Sequence, residues 1–199
     1  MSLVSASLAE DAAALQKLIA GRRTVQDYRQ GALPVGALTR ALEVAISAPN
    51  HRMTEPWRFV QVGPTGRQTL FEIAADLKSA PGAPLAGPGR DRLAAKMLLP
   101  TELLVICQTH AADPEVARED YAAVACAVYA AMLSLWSEGV GSKWSTGDVT
   151  TDERTYSCLG VDPAQQAIVG FLWVGLDARA EAPKPKRRRT LDQILRAVP

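Results

Sequence analysis

The 199-residue chain has few of the residues that build metal sites and disulfides. It contains three cysteines, Cys107, Cys126 and Cys158, with no C-x-x-C pair, and two widely separated histidines, His51 and His110. A Cys/His metal site is therefore not expected. Each cysteine lies among apolar neighbours, and their number is odd, which predicts buried free thiols in a reducing compartment.

Several motifs that bind nucleotides or perform hydrolysis are also missing. The chain has no G-x-G-x-x-G and no P-loop, so a Rossmann or Walker explanation fails. It has no G-x-S-x-G elbow and no paired acids at a spacing that suggests hydrolysis. Twenty-two basic and twenty-one acidic residues give a formal net charge of +1, which predicts no general attraction to nucleic acid or membranes.

The sequence gives little sign of export or membrane insertion. Its first residues lack the basic start and apolar run of a signal peptide. No apolar segment is expected to reach the length of a membrane span. We therefore expect a soluble, cytoplasmic protein.

The chain does contain alternating helical and strand patterns without internal repeats, and we expect one domain over residues 1–199. The clearest strands, residues 103–109 and 167–175, are apolar on both faces, which predicts a sheet covered by helices on both sides. The helical segment Pro114 to Glu138 is apolar nearly all round in its middle, so we expect it to be buried on every side. A core helix and a dimer helix both fit that pattern.

Residues 79–90, rich in proline and glycine, predict either a mobile lid or a plain surface loop without regular structure.

Four polar places stand out from this apolar frame. Arg22-Arg23-Thr24 follows a helix that ends at Gly21, and two guanidiniums with a hydroxyl can bind an anion such as phosphate, although alone they are more typical of a solvated surface. The other three are a polar turn within residues 47–62, a turn around Trp144, and a basic arm within residues 179–199. Physical reasoning alone stops at an α/β domain that binds a phosphorylated ligand.

Taken in order, these places resemble the nitroreductase family of flavin mononucleotide (FMN) oxidoreductases. The matching motifs are Arg22-Arg23-Thr24, Ala48-Pro49-Asn50-His51, Pro56-Trp57-Arg58-Phe59, Glu138-Gly139-Val140-Gly141-Ser142-Lys143-Trp144 and Lys186-Arg187-Arg188-Arg189. The resemblance covers nearly the whole chain and is strongest to the small, minimal branch of the family.

The resemblance implies an α+β, three-layer fold, with a mostly antiparallel central sheet flanked by helices. It implies a domain-swapped homodimer with FMN at the subunit interface. It further implies ping-pong chemistry, in which NADH or NADPH reduces the flavin, and the flavin then reduces a nitroaromatic, a quinone or a similar small acceptor. No catalytic side chain is required, because the flavin carries the chemistry.

The same resemblance assigns roles to individual residues. It implies that Arg22 and Thr24 hold the FMN phosphate and ribityl chain, and that Trp144 to Thr146 lie along the ring. Many members have Asn and Gln where this chain has Met53 and Glu55, and an anion at that place would lower the flavin potential. The full predicted cofactor set is Arg22, Arg23, Thr24, Ser47, His51, Glu55, Trp144, Ser145, Thr146, Lys186 and Arg188.

Three other readings stay open at this stage. One is a family member with other redox chemistry, such as dehalogenation or dehydrogenation. Another is a non-catalytic flavin-binding dimer. The third takes K-P-K-R-R-R as a nucleic-acid or targeting patch, and it ranks last because six such residues in a neutral chain support only weak binding.

Overall fold

A computed structural model describes residues 3–179 and 188–198. Within these ranges the chain forms six α-helices, five strands and two short 3-10 turns. The helices are α1 (Leu3–Gly21), α2 (Ala37–Ala45), α3 (Pro64–Leu77), α4 (Gly87–Leu98), α5 (Pro114–Ser137) and α6 (Glu153–Leu159). The strands are β1 (Tyr28–Arg29), β2 (Trp57–Gln61), β3 (Glu102–Thr109), β4 (Gly141–Ser145) and β5 (Gln166–Asp177), and the 3-10 turns are Asp148–Thr150 and Leu191–Gln193.

The five strands form one antiparallel sheet organised around β5. Strand β3 pairs with one edge of β5, and β2 pairs with the outer edge of β3. Strands β4 and β1 pair one after the other with the opposite edge of β5. The predicted mostly antiparallel sheet is confirmed, and β4 lies at its edge, paired with β5.

Alternate residues of the buried strands face two separate apolar layers. In β3, the side chains of Leu103 and Val105 pack into the layer formed with α3, α4 and α6. The intervening Leu104 and Ile106 pack into the layer formed with α2 and α5. This alternation follows from the two-residue period of a strand, and it confirms the predicted three-layer arrangement.

Helix α5 departs from the expected burial on every side. Its Val124 and Val128 are fully buried, whereas Tyr121 and Tyr129 are 50% and 41% exposed, because no described element covers that face. By length and composition this 24-residue helix could also cross a membrane, so the expectation that no segment reaches that length was wrong. Burial of one face against α2 and the sheet makes it equally typical of a core helix.

Two further expectations need correction. Residues 79–90 are not irregular throughout, because α4 begins at Gly87. Pro88 lies in the first turn of α4, where the backbone N–H that proline lacks would have no partner within the helix. The three cysteines are free, but only Cys107 is buried. Cys126 is exposed on the open face of α5, and Cys158 is half-buried.

Candidate functional site

Strand β4 connects two polar places that are separate in the sequence. Near its start, Thr24 forms a parallel bridge with Ser142, and the Val25 amide donates to the carbonyl oxygen of Ser142 at 3.1 Å. At its end, Ser145 lines a cleft. Three residues of extended strand separate Ser142 from Ser145, or about 10 Å. The segment after α1 and the cleft therefore belong to one continuous edge of the molecule.

The two arginines after α1 carry donors that no described group accepts. Nη1 of Arg22 and Nε of Arg23 are buried and have no hydrogen-bond partner in the described part of the chain. Nη1 of Arg23 donates to the carbonyl oxygens of Ala20 at 2.6 Å and of Arg22 at 2.9 Å. A buried charged donor without an acceptor costs free energy. The two arginines can therefore donate further hydrogen bonds, which an anion would accept.

A cleft opens between the end of β4 and helices α3 and α4. Phe171 and Trp173 of β5 line it with buried aromatic surface, and the Trp173 Nε1 group donates to Oγ of Ser145 at 2.9 Å. Exposed Lys78 and Lys96 also line it. Aromatic surface with a few polar groups is typical of a cofactor pocket. The other lining residues are Ala74, Leu77, Leu93, Met97, Thr146, Gly147, Asp148, Val149 and Thr150.

Lys143 lies on β4 between the arginines and the cleft. Its ammonium donates to Oε1 of Gln26 at 2.6 Å. Partial burial lowers the pKa of Lys143, the positive charge of Lys96 lowers it further, and Asp27 opposes both. Two ammonium groups close enough to interact create a local positive potential that favours an anionic or electron-rich ligand. Neither Lys96 nor Lys143 was among the predicted site residues, although strand alternation puts Lys143 on the same face as Ser145.

The side chain of Trp144 lies on the other face of the sheet. It packs into the layer of α2 and α5, close to Gly170, where a Cβ would also come within 2.9 Å of the Ser145 carbonyl oxygen. The Trp144 Nε1 atom is buried and has no partner among the described residues. Of the predicted ring segment, Ser145 and Thr146 line the cleft and the Trp144 side chain does not.

The turn that contains His51 is attached to the first half of α5. His51 Nδ1 lies 3.2 Å from Oε2 of Glu119, and Arg52 Nε donates to the same oxygen at 3.0 Å. Hydrogen bonds from Arg52 and His51 lower the pKa of the Glu119 carboxyl. The His51 side chain remains 72% exposed. The turn is therefore fixed from one side and leaves an imidazole open on the other.

The backbone of this turn holds two strained residues. Met53 and Glu55 have φ values of 52° and 45°, in the left-handed region that side chains other than glycine rarely adopt. Three hydrogen bonds support the geometry. The Glu55 amide donates to Oδ1 of Asn50 at 2.7 Å, Asn50 Nδ2 donates to Oγ1 of Thr54 at 3.1 Å, and Thr54 Oγ1 donates to Oδ1 of Asp120 at 2.5 Å.

A single chain does not bring all predicted site residues together. Arg22 lies against Tyr129 and His51 against Glu119, and ten residues of α5 separate these contacts by about 15 Å. Ser47, at the end of α2, donates to the carbonyl oxygen of Val44. Arg188 is exposed in the C-terminal segment, and the prediction for Lys186 falls outside the described residues. Thr24 bridges the β4 residue Ser142, Arg22 and Arg23 come directly before Thr24 in the chain, and Ser145 and Thr146 line the cleft at the end of β4.

Comparison with known proteins gives consistent matches over most of the chain. The model of the Nitroreductase family matches residues 19–176. "Putative NAD(P)H nitroreductase YfhC" of Bacillus subtilis is 28% identical over 177 residues, which cover 87% of this chain and 89% of that protein. The 5,6-dimethylbenzimidazole synthase of Rhodospirillum rubrum is 27% identical over 190 residues, which cover 88% of this chain and 87% of that protein.

Solved structures support the fold. A nitroreductase-like family protein from Bacillus cereus superposes with a TM-score of 0.80 at 23% identity, covering 92% of this chain and 95% of that one. A mutant of NfnB, an FMN and NADPH-dependent nitroreductase from Sphigopyxis sp. strain HMH, superposes with a TM-score of 0.74 at 17% identity, covering 92% and 98%. At these identities the likeness concerns the fold.

Proposed function

The chain belongs to the nitroreductase family, and we propose that it is an FMN-dependent oxidoreductase with NADH or NADPH as reductant. The observation that carries the proposal is the edge formed by β4, with unsatisfied arginine donors at one end and an aromatic-lined cleft at the other. FMN has a matching distribution of chemistry, because a charged phosphate and a planar ring lie at opposite ends of a polar chain.

Each end of the edge suits one part of the cofactor. Arg22, Arg23 and Thr24 would hold the phosphate, since guanidinium donors and a hydroxyl are strong partners for phosphate oxygens. Ser145 and Thr146 would lie beside the ring. Lys186 and Arg188 would add positive charge from the C-terminal arm, as the family resemblance implies.

The protein's own contribution is binding, orientation and electrostatics. Bound FMN would supply the redox chemistry, accepting hydride equivalents from the nicotinamide and passing them to a nitroaromatic, a quinone or a similar small acceptor. Trp173 fixes the hydroxyl of Ser145 by its hydrogen bond. Lys96 and Lys143 would provide positive potential near the cleft, which would stabilise the negative charge that a bound ring gains when it is reduced.

We further propose that two copies form a homodimer through the open face of α5. Tyr121, Cys126 and Tyr129 are exposed there, and such a face is typical of an interface. If a twofold axis passes near the middle of the stretch from Glu119 to Tyr129, Glu119 of one copy lies near Tyr129 of the other. The His51 turn of one copy would then approach the Arg22 end of the other, and one site would gain both groups.

A second candidate is other redox chemistry in the same site. The similarity to 5,6-dimethylbenzimidazole synthase supports it, because a chain of this family need not reduce nitro groups. A non-catalytic flavin-binding dimer is the alternative to both. We place the activity in the cytoplasm, as three free cysteines are typical of a reducing compartment.

Flavin binding tests the cofactor assignment. Purified protein freed of flavin should bind FMN more tightly than riboflavin, which lacks the phosphate. Arg22→Ala should weaken FMN binding by about 10- to 100-fold, the effect of losing a charged hydrogen-bond partner, and should leave riboflavin nearly unaffected. Arg58→Ala is the matched control, because Arg58 is exposed on β2 and bonds only to nearby carbonyl oxygens among the described residues. A native chain that binds neither flavin would overturn the proposal.

A further inference from the structure

We propose that Tyr129 is a positioning residue that holds the guanidinium of Arg22 ready for the phosphate of the cofactor. The inference rests on the proposed function, because it takes Arg22 as a phosphate-binding group. Neither the phosphate motif nor the residues that line the cleft include Tyr129. It lies on α5, more than a hundred residues away from Arg22 in the sequence.

The contact between the two residues is a cation–π contact. Cζ of Arg22 lies 5.9 Å from the centroid of the Tyr129 ring, within the range over which the ring face attracts a guanidinium. The Arg22 amide donates to the carbonyl oxygen of Leu18 at 3.0 Å, which fixes the main chain at the end of α1. The ring of Tyr129 restricts the other end of the side chain.

This contact leaves the hydrogen-bonding capacity of Arg22 free. A ring attracts the positive charge of a guanidinium without accepting its hydrogen bonds in the way a carboxylate would. Nη1 of Arg22 is buried and lacks a partner within residues 3–179 and 188–198. A guanidinium that is already ordered loses less conformational entropy when an anion binds. Tyr129 therefore favours phosphate binding without touching the phosphate.

Tyr121 provides a matched control on the same helix. It is a tyrosine with similar exposure, 50% against 41% for Tyr129, and it lies eight residues earlier on α5. That separation is about 12 Å along the helix axis. Both rings belong to the open face of α5, so loss of either one removes apolar surface from the proposed dimer interface, but only Tyr129 contacts Arg22.

The test compares the dissociation constants of FMN and riboflavin, measured by quenching of flavin fluorescence, in native protein and in variants. Tyr129→Leu should weaken FMN binding by about two- to fivefold, the expected strength of an exposed cation–π contact, and should leave riboflavin binding unchanged. Tyr129→Phe keeps the ring and should retain native FMN affinity. Tyr121→Leu should change neither constant. Tyr129→Met replaces the leucine variant if that one does not fold.

A double variant separates the proposed mechanism from a general packing effect. In the Arg22→Ala background, Tyr129→Leu should cause no further loss of FMN affinity, because the ring acts through Arg22. The role of Tyr129 would be overturned if the ratio of the FMN and riboflavin dissociation constants were the same in native and Tyr129→Leu protein, whether neither constant changes or both rise equally. The proposed function would still stand. A native protein without any preference for FMN would overturn both inferences.

Discussion

Thr54 Oγ1 donates a hydrogen bond of 2.5 Å to Oδ1 of Asp120, whose residue is only 3% exposed. The bond joins the strained turn of Met53 and Glu55 to helix α5. Thr54→Val keeps the shape and removes the donor, so the Asp120 carboxylate loses a close partner. We expect the free energy of unfolding to fall by about 1.5 to 3 kcal/mol.

Urea unfolding followed by circular dichroism measures this loss. Thr69→Val is the matched control, because its hydroxyl bonds at 3.2 Å to a carbonyl oxygen within its own helix and the side chain is exposed. We expect the control to change stability by less than about 0.5 kcal/mol. Equal effects of the two substitutions would mean that the bond to Asp120 does not stabilise the turn.

Glu55 gives a prediction about the flavin potential, based on the proposed function. Glu55→Gln removes an anion at the position where many family members have an amide. The midpoint potential of bound FMN should rise, since negative charge near the ring disfavours the reduced anion, by an amount on the order of 1 kcal/mol in the free energy of reduction. Spectral titration against a reference dye measures it. Glu43→Gln, an exposed acid on α2, should leave the potential unchanged. An unchanged potential in Glu55→Gln would exclude Glu55 from the flavin environment.

Cys126 reports on the proposed dimer. Its thiol is exposed in the single chain on the open face of α5, so a dimer through this face should protect it. In native dimer we expect slow labelling by a thiol reagent at neutral pH, and faster labelling as dilution separates the subunits. Mass spectrometry after digestion assigns the label, and Cys158, half-buried on α6, is the reference thiol. Rapid labelling of Cys126 at a concentration where sedimentation finds a dimer would place the interface elsewhere.

The buried thiol of Cys107 should make the free energy of unfolding depend on pH. Burial raises the pKa of its thiol to about 11 from 9.0. A pKa raised in the folded state means that folding favours the neutral thiol, so this contribution is complete below pH 9.0 and is lost as the pH rises towards 11. Cys107→Val should remove this share of the alkaline loss, on the order of 1 to 2 kcal/mol. Urea unfolding at pH 8 and 10.5 measures the difference, and parallel curves for native and variant protein would contradict it.

The elements that could be predicted from the sequence are those whose signals are local and strong. The branched, apolar run predicts β3 over residues 103–109, and the helical periodicity predicts α5 over residues 114–138. Each element differs from its predicted range by one residue at one end. Helix α6 follows Asp152, whose side chain accepts a hydrogen bond from the Arg154 amide, and it ends before Gly160, which adopts a φ of 64°. In each of these cases local propensity and burial favour the same structure.

Other features depend on tertiary contacts and carry no local signal. Strand β1 has only two residues and exists through its pairing with β5. Lys96 of α4 and Lys143 of β4 come close enough for their charges to interact only in the folded chain, which periodicity cannot reveal. The exposed face of α5 resembles a core pattern in sequence because an interface and a core are both apolar. The positions of Met53 and Glu55 in left-handed backbone likewise follow from the contacts of Asn50 and Thr54.

Reduction of bound flavin by a nicotinamide is the direct test of the proposed oxidoreductase activity. Protein reconstituted with FMN is mixed anaerobically with NADH or NADPH, and the flavin absorbance near its visible maximum is followed. We expect bleaching by at least one nicotinamide, followed by recovery of the yellow colour when a nitroaromatic or a quinone is added. A protein that binds FMN and is bleached by neither nicotinamide would contradict it.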